Sequence, residues 1–249
     1  MRLSISKINT FLEDPRKYWY IYEMGIQTPK SAGFYFGSAI HEGLDYYYSG
    51  KDPLQGVSQA LFGKKASLGE EVKEGVDLHK LYTQARKIFD VYKDKAPKFK
   101  PLFIEHWFEV DLVHPLTKER LSDVLVGKID LITVAGDIVD HKTSSGFYTG
   151  YYDEANWIQS TGYAYAYWMK FGKFANNVVF NIIVKGKEIK FEQKTFNPDL
   201  KDLCKFFEIC KDVSDKITKG ETRDFPSVKH SRVCPCKDIC PYCNGEIQR

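Results

Sequence analysis

The chain has 249 residues, 43% hydrophobic and 28% charged, enough for a full core in one domain or in one domain with an elaboration. Its formal net charge of +3 makes it only slightly basic, which permits nucleic-acid binding without demonstrating it. No run approaches the ~18 apolar residues of a membrane span, and Met1-Arg2-Leu3-Ser4 lacks the apolar stretch of a secretory signal, so an intracellular, cytoplasmic protein with no membrane contact is expected.

A helix is predicted at the start, capped by Ser4 or Ser6 and carrying Ile8, Phe11 and Leu12 as its apolar stripe. Pro15 interrupts or restarts it. Arg16, Lys17, Tyr18, Trp19, Tyr20 and Tyr22 then form a basic-aromatic cluster. It reads as an amphipathic helix with snorkelling cations, or, through Arg16, Lys17 and Tyr20, as a DNA contact. Gly25 ends this element. A second helix, from about Phe34 to Tyr48, carries Gly37, Ile40, His41, Leu44 and Tyr48 at helical spacing. A lone histidine on such a stripe reads first as a hydrogen-bonded core residue. Gly56, Gly63 and Gly69 break up the next stretch, and Val72 to Lys95 reads as a long surface helix closed by Pro97 and Pro101.

Leu102 to Leu112 alternates as a strand does, with Glu105 and Glu109 inside it, and Pro115-Leu116-Thr117-Lys118 is a turn. Val124, Val126, Ile129, Leu131, Ile132 and Val134 then favour a strand. Ala135-Gly136-Asp137 supplies a turn with a glycine free to take positive φ, and Ile138-Val139 opens a second strand. Asp140 and Lys142, two residues apart, share one face of that strand, and pairing brings Asp130 towards them. Converging carboxylates repel unless a cation lies between them. Hard oxygen ligands suit Mg²⁺ or Mn²⁺, and a lysine beside them can orient water or stabilise charge at phosphorus. Asp-x-Lys is also a common triplet, and by itself it reads as a surface ion pair.

Tyr152 to Phe171 is predicted helical, with Gln159 and Tyr163 four apart on one face. Asn177 to Val184 and Ile189 to Phe196 form a further hairpin. Pro198 starts a last long helix, in which Cys204 and Cys210 read as ordinary buried thiols. The tail from Gly220 onward holds Cys234, Cys236, Cys240 and Cys243 in C-x-C-x3-C-x2-C spacing. Thiols this dense in an intracellular chain point to metal, with reduced, metal-free cysteine as the alternative.

Taken in order, Gly37-Ser38-Ala39-Ile40-His41, Gly127-Lys128-Ile129-Asp130, Val139-Asp140-His141-Lys142-Thr143 and Gln159-Ser160-Thr161-Gly162-Tyr163 resemble the motifs G-x-x-x-H, G-x-x-D, D-x-K-T and Q-x-x-x-Y. These belong to the RecB-like branch of the PD-(D/E)XK nuclease superfamily, and Ser4 to Tyr22 resembles its entry helix. The resemblance covers most of the chain; each motif alone is weak, and four in order are specific. It implies an α/β, restriction-endonuclease-like fold: a mixed central sheet flanked by helices, spanning residues 1–249 as one domain. Residues 1–100 would be mainly helical, 101–197 the β-rich catalytic core, and 198–249 a helix with the cysteine-rich tail.

The resemblance further implies that His41, Asp130, Asp140 and the backbone carbonyl of His141 ligate the metal, and that Lys142 positions the hydrolytic water or stabilises the transition state. Gln159 and Tyr163 would orient the lysine or contact the DNA backbone, and Glu109 would be an outer or second-metal carboxylate or only a strand-face charge. Iron-sulfur members use a cysteine where this chain has Asp14, a departure that leaves three options open. These are a [4Fe-4S] cluster held by the tail alone, a cluster with Asp14 as an unusual ligand, or a zinc site. The activity implied is metal-dependent DNA hydrolysis by an exonuclease of recombination, repair or replication, of the kind that phages and CRISPR-adaptation systems use. A phage-encoded enzyme in a bacterial host, partnered by a single-strand annealing or other recombination protein, fits that setting. A DNA-end-binding module that cuts poorly, or a structure-specific endonuclease, are the alternatives.

Overall fold

The computed structural model describes residues 1–26, 30–63, 75–144 and 153–222. Six strands build one mixed sheet among them. They are β1 (Arg2–Ser4), β2 (Pro101–Val113), β3 (Arg120–Thr133), β4 (Ile138–Ser144), β5 (Val178–Val184) and β6 (Lys190–Phe196). Their order is β1-β3-β4-β5-β6, with β2 also on β3. β1 joins β3 and β4 joins β5 in parallel; the other pairs are antiparallel. β5, Val-Val-Phe-Asn-Ile-Ile-Val, is buried at every position, as a strand covered on both faces must be.

The helices are α1 (Ile5–Glu13), α2 (Pro15–Tyr18), α3 (Ala32–Tyr48), α4 (Pro53–Phe62), α5 (Leu78–Lys95), α6 (Asp153–Phe171) and α7 (Leu200–Thr218). A π-helical turn, Trp19–Glu23, follows α2. Short polar side chains start most of them, Ser4, Asp14, Ser31, Asp52, Asp77 and Asp199 each accepting first-turn N–H bonds. The sheet separates two cores. On one side α1, α6 and α7 bury Ile8, Phe11, Tyr165, Phe206 and Phe207 against Phe108 and Phe180. On the other, α3, α4 and α5 bury Phe36, Leu44, Leu61, Phe89 and Tyr92 with Ile183 of β5.

The structure departs from the sequence reading in three places. Ser4 caps α1 as expected, but Arg2–Ser4 before it is a strand beside β3, with Leu3 fully buried. Three residues are too few for a periodicity signal. The glycine-broken stretch after Tyr48 is a helix, α4. Its Gly56 is there because α3 passes so close that a Cβ would meet the Glu42 carbonyl oxygen at 2.5 Å. The helix read from Val72 is seen from Leu78, after the Asp77 cap, and its inner face (Leu81, Ala85, Ile88, Phe89 and Tyr92) is core rather than surface.

Gly56→Ala raises intrinsic helix propensity by ~1 kcal/mol, yet its methyl group collides with backbone. Net destabilisation of about 1–3 kcal/mol is expected. It should read as a lower urea midpoint with unchanged slope.

Candidate active site

The site forms where two strands part. The turn between β3 and β4 closes as Ala135-Gly136 implies: Gly136 has φ +88°, and the Thr133 N–H donates to the Asp137 carbonyl at 2.9 Å. Ile132 pairs with Ile138 and Leu131 with Val139. One residue on, a side chain takes over from the ladder: Asp130 Oδ2 accepts the His141 N–H at 2.8 Å. The predicted approach of Asp130 to Asp140 and Lys142 is thus made through a carboxylate that replaces a strand partner.

Asp140 is 2% exposed. Its Oδ2 pairs with Lys142 Nζ at 2.6 Å, and its Oδ1 accepts from Tyr163 Oη at 3.1 Å and Gln159 Nε2 at 3.2 Å. Lys142 Nζ in turn donates to Gln159 Oε1 at 2.7 Å. One α6 glutamine therefore holds both ends of the Asp140–Lys142 pair, and Tyr163, one helical turn on, holds the carboxylate. Gly162 lets α1 and α7 pack closely on α6, since a Cβ there would meet Ile5 at 2.9 Å and Phe206 at 3.0 Å. Burial pushes the Asp140 carboxyl upward; Lys142 pulls it back, Asp130 adds to the rise, and the balance stays raised. Burial likewise drives the Tyr163 phenol well above its ordinary value, which keeps it a donor.

Asp130 lies under α3. His41 Nδ1 is 3.2 Å from Asp130 Oδ2, with the His41 side chain about one-third exposed. Burial lowers the His41 pKa, but the Asp130 charge and hydrogen bond outweigh it and push it up to about 9. Asp130 responds inversely: burial raises its carboxyl, and His41, together with the His141 N–H bond, holds it well below the carboxylate range. The expected metal ligand His41 thus faces Asp130 directly, an arrangement that favours its protonated form.

Behind the strand, the buried His141 ring is locked. Asn181 Nδ2 lies 3.0 Å from His141 Nδ1 and donates to it, and reaches Tyr92 Oη at 3.4 Å. The Tyr92 and Tyr48 hydroxyls meet at 3.0 Å, and the Tyr48 ring stacks on His141 at 5.7 Å. Burial pushes the His141 imidazole down to about 4, so it is neutral. The backbone that carries the His141 carbonyl is fixed by this network, which ties β4 to α3, α5 and β5.

The other expected residues lie as follows. Glu109 pairs opposite Val126 and forms an ion pair with Arg2 at 2.7 Å. Val126 is four residues from Asp130, about 13 Å along the strand. The β2 carboxylate that feels the site is Glu105, which the sequence reading left without a role. It lies between Ile104 and His106, the partners of Leu131 and Ile129, so it falls opposite Asp130, and its φ is +51°. It pairs with Lys128; burial raises its carboxyl, and Asp130 raises it further. Positive φ in a non-glycine strand residue, unreadable from sequence, is what re-aims it. Asn181, a lone polar residue in an apolar strand, was legible as an anomaly.

Lys17 pairs with Glu13 at 2.7 Å, and Arg16 lies over the ring of Tyr20, which is buried rather than open for base stacking. Asp14 is buried, and its Oδ1 accepts the Arg16 and Lys17 N–H groups. Cys234, Cys236, Cys240 and Cys243 lie outside the described residues. Cys210 is buried as expected, while Cys204 is partly exposed. Among the described residues no three His, Cys, Asp or Glu side chains form a ready-made ligand cluster, and no helix is long and apolar enough to cross a membrane.

A mixed sheet whose central strands separate around an Asp and an Asp-x-Lys set, flanked by helices, is a restriction-endonuclease-like architecture. The family model of the PD-(D/E)XK nuclease superfamily matches residues 2–241, and the chain belongs to that superfamily. Among solved structures, a presumptive exonuclease from Eubacterium rectale is similar at 14% identity and TM-score 0.58, covering 100% of this chain and 89% of that one. At this identity the likeness speaks for the fold. A second structure, SSO0001, aligns at 12% identity and TM-score 0.43 over 96% of this chain and 85% of its own, too distant to carry an argument. No curated protein matches the chain.

The His41–Asp130 pair sets a pH signature. His41 is raised from 6.5 to about 9 on folding, so its stabilisation is complete below pH 6.5 and lost as pH rises through 9. His141, lowered from 6.5 to about 4, acts oppositely, its contribution being lost as pH falls from 6.5 towards 4. Thermal melts without divalent cation should therefore show an alkaline decline that His41→Gln flattens. An alkaline arm unchanged in His41→Gln refutes the pairing.

Proposed function

We propose that this protein is a divalent-metal-dependent deoxyribonuclease that works from DNA ends, an exonuclease of recombination, repair or replication. The observation that carries this reading is the gathering of Asp130, Asp140 and Lys142 where β3 and β4 part, in a chain of the nuclease superfamily. The similarity to a presumptive exonuclease supports action from ends. A recombination partner such as a single-strand annealing protein, and a cytoplasmic setting, belong to the same reading.

The donor set fits Mg²⁺ or Mn²⁺. Asp140 is raised partly by the charge of Asp130, the repulsion that a cation relieves. Mg²⁺ needs only one or two carboxylates, completing its shell with water and substrate phosphate, so a three-side-chain cluster is not required. Asp130, Asp140 and the His141 carbonyl would hold it, with His41 joining as the neutral imidazole. When bound, the ion supplies Lewis acidity at the phosphate and an activated water. Lys142 orients the nucleophile or balances charge developing on the phosphoryl oxygens. Gln159 fixes the ammonium, and Tyr163 keeps the Asp140 carboxylate aimed.

End-labelled linear DNA and closed circular duplex, each with and without Mg²⁺ or Mn²⁺, test this directly. Cleavage is expected only with the cation and chiefly on linear DNA. Asp140→Ala and Lys142→Ala should each lower the rate by ~10²-fold or more while the fold is kept. Wild-type rates in Asp140→Ala would refute the site, and equal cutting of closed circles would make the enzyme an endonuclease.

We further propose that the four tail cysteines hold a structural metal centre, a [4Fe-4S] cluster with zinc as the alternative, because four thiols this close in sequence would otherwise be open to oxidation. Asp14, already bonded to two backbone N–H groups, serves as a helix cap, which favours a centre held by the tail alone. Anaerobic purification with iron, sulfide and zinc analysis should find iron and sulfide in cluster ratio. Zinc alone would convert the site to a zinc knuckle, and neither metal would remove it.

A further inference from the structure

A concave feature lies away from the Asp140–Lys142 pair. Between α5 and the turn joining β5 to β6 is a groove of about 870 Å³. Four lysines line it: Lys87 and Lys95 from α5, and Lys185 and Lys187 from the turn. Asp90 and Glu188 are its carboxylates, leaving an excess of two positive charges. The whole chain, with 36 basic and 33 acidic side chains, has an excess of only three, so positive charge is concentrated here.

The lysines are placed for an extended anion. Lys87, Val91 and Lys95 recur every four residues on one face of α5, which spaces the two ammonium stems about 12 Å apart along the wall. Lys185 Nζ sits 4.1 Å from the centroid of the Phe36 ring on the opposite wall. None of the four forms an ion pair with a carboxylate among the described residues. A recess with an excess of positive charge attracts a polyanion. Lysines without a planar arginine fork give backbone contacts that do not read sequence.

The lysine turn is hydrogen-bonded to the end of β4, the strand that carries Asp140 and Lys142. The Lys185 N–H donates to the Ser144 carbonyl at 2.8 Å, which seats the lysine turn on the end of β4. Lys142 pairs in register with Ile182, so Lys185 is three residues further along, about 10 Å. Lys142 itself is turned to α6, while its neighbour Thr143 packs beneath Gly37 of α3, the helix that supplies Phe36.

We propose that the α5/β5–β6 groove holds the phosphate backbone of the DNA strand that leads to or from the active site. This rests on the nuclease reading. The groove adds affinity and sets how far from an end the enzyme grips its substrate, without touching the reacting phosphate.

The test is fluorescence anisotropy with a labelled linear DNA, without added divalent cation, across 50–200 mM salt. Binding by Lys87→Ala/Lys187→Ala should be weaker, and its slope of log affinity against log salt lower by about one per lysine, so about two in total. Lys173→Ala/Lys201→Ala, outside the groove, should leave the slope as in wild type. With the cation restored, the groove variant should show a higher KM with kcat largely kept. Unchanged affinity and slope in the groove variant, in an enzyme that binds and cuts DNA, overturn the groove alone. No DNA binding or cleavage by wild type overturns the groove and the nuclease reading together. Displacement of DNA from Lys87 and Lys187 by poly-glutamate at far lower concentration than by competitor DNA would assign the surface to an acidic protein partner and also overturn the proposal.

Discussion

The hydrogen bond from the His141 N–H to the Asp130 carboxylate is the contact on which the candidate site depends. β3 and β4 pair normally at Ile132↔Ile138 and Leu131↔Val139. At the next position a side-chain oxygen satisfies the strand's donor, so the backbones separate without leaving that buried N–H unpaired. The same carboxylate is thereby fixed in place, charged and close to Asp140. If Asp130 were an apolar residue, the His141 N–H would need another acceptor, and the strands would gain from closing the gap.

Two ion pairs then divide the site. Asp140 and Lys142 are neutralised together and braced from α6 by Gln159 and Tyr163. Asp130 is neutralised from α3 by His41. Buried charges are tolerable only when paired and hydrogen-bonded, and the two pairs are supported from opposite sides of the sheet, Asp140–Lys142 by α6 and Asp130 by His41 of α3. Both helical layers are therefore needed to complete the hydrogen bonding and charge pairing of these groups. The His141–Asn181–Tyr92–Tyr48 chain adds a third brace, extending from β4 into the α3/α5 layer.

Much of this was legible in the sequence. The order Gly37–His41, Gly127–Asp130, Asp140–Lys142 and Gln159–Tyr163 pointed to the superfamily and its fold class, and the structure gathers Asp140, Lys142, Gln159 and Tyr163 in one network, with Asp130 bonded to the His141 N–H and paired with His41. Two of the glycines have a physical explanation: at Gly127 a Cβ would meet the Phe108 ring at 2.6 Å, and Gly162 admits Ile5 and Phe206 against α6. Caps and turns such as Ser4 and Ala135-Gly136 were equally readable, since local hydrogen bonding decides them.

Tertiary structure decided what no local pattern contains. Strand β1 exists because β3 offers it a parallel edge, and α4 is helical despite Gly56 because α3 needs the space. Glu105 rather than Glu109 feels Asp130, since register and a positive φ, not alternation, set which carboxylate faces the gap. His41 belongs to Asp130, and the four groove lysines, nearly 100 residues apart in sequence, become neighbours only when α5 packs beside the β5–β6 turn. Residue type and spacing fix which groups a chain can bring to a reaction; long-range packing fixes which of them meet, because charge pairing and hydrogen bonding act over a few ångströms that only the folded chain defines.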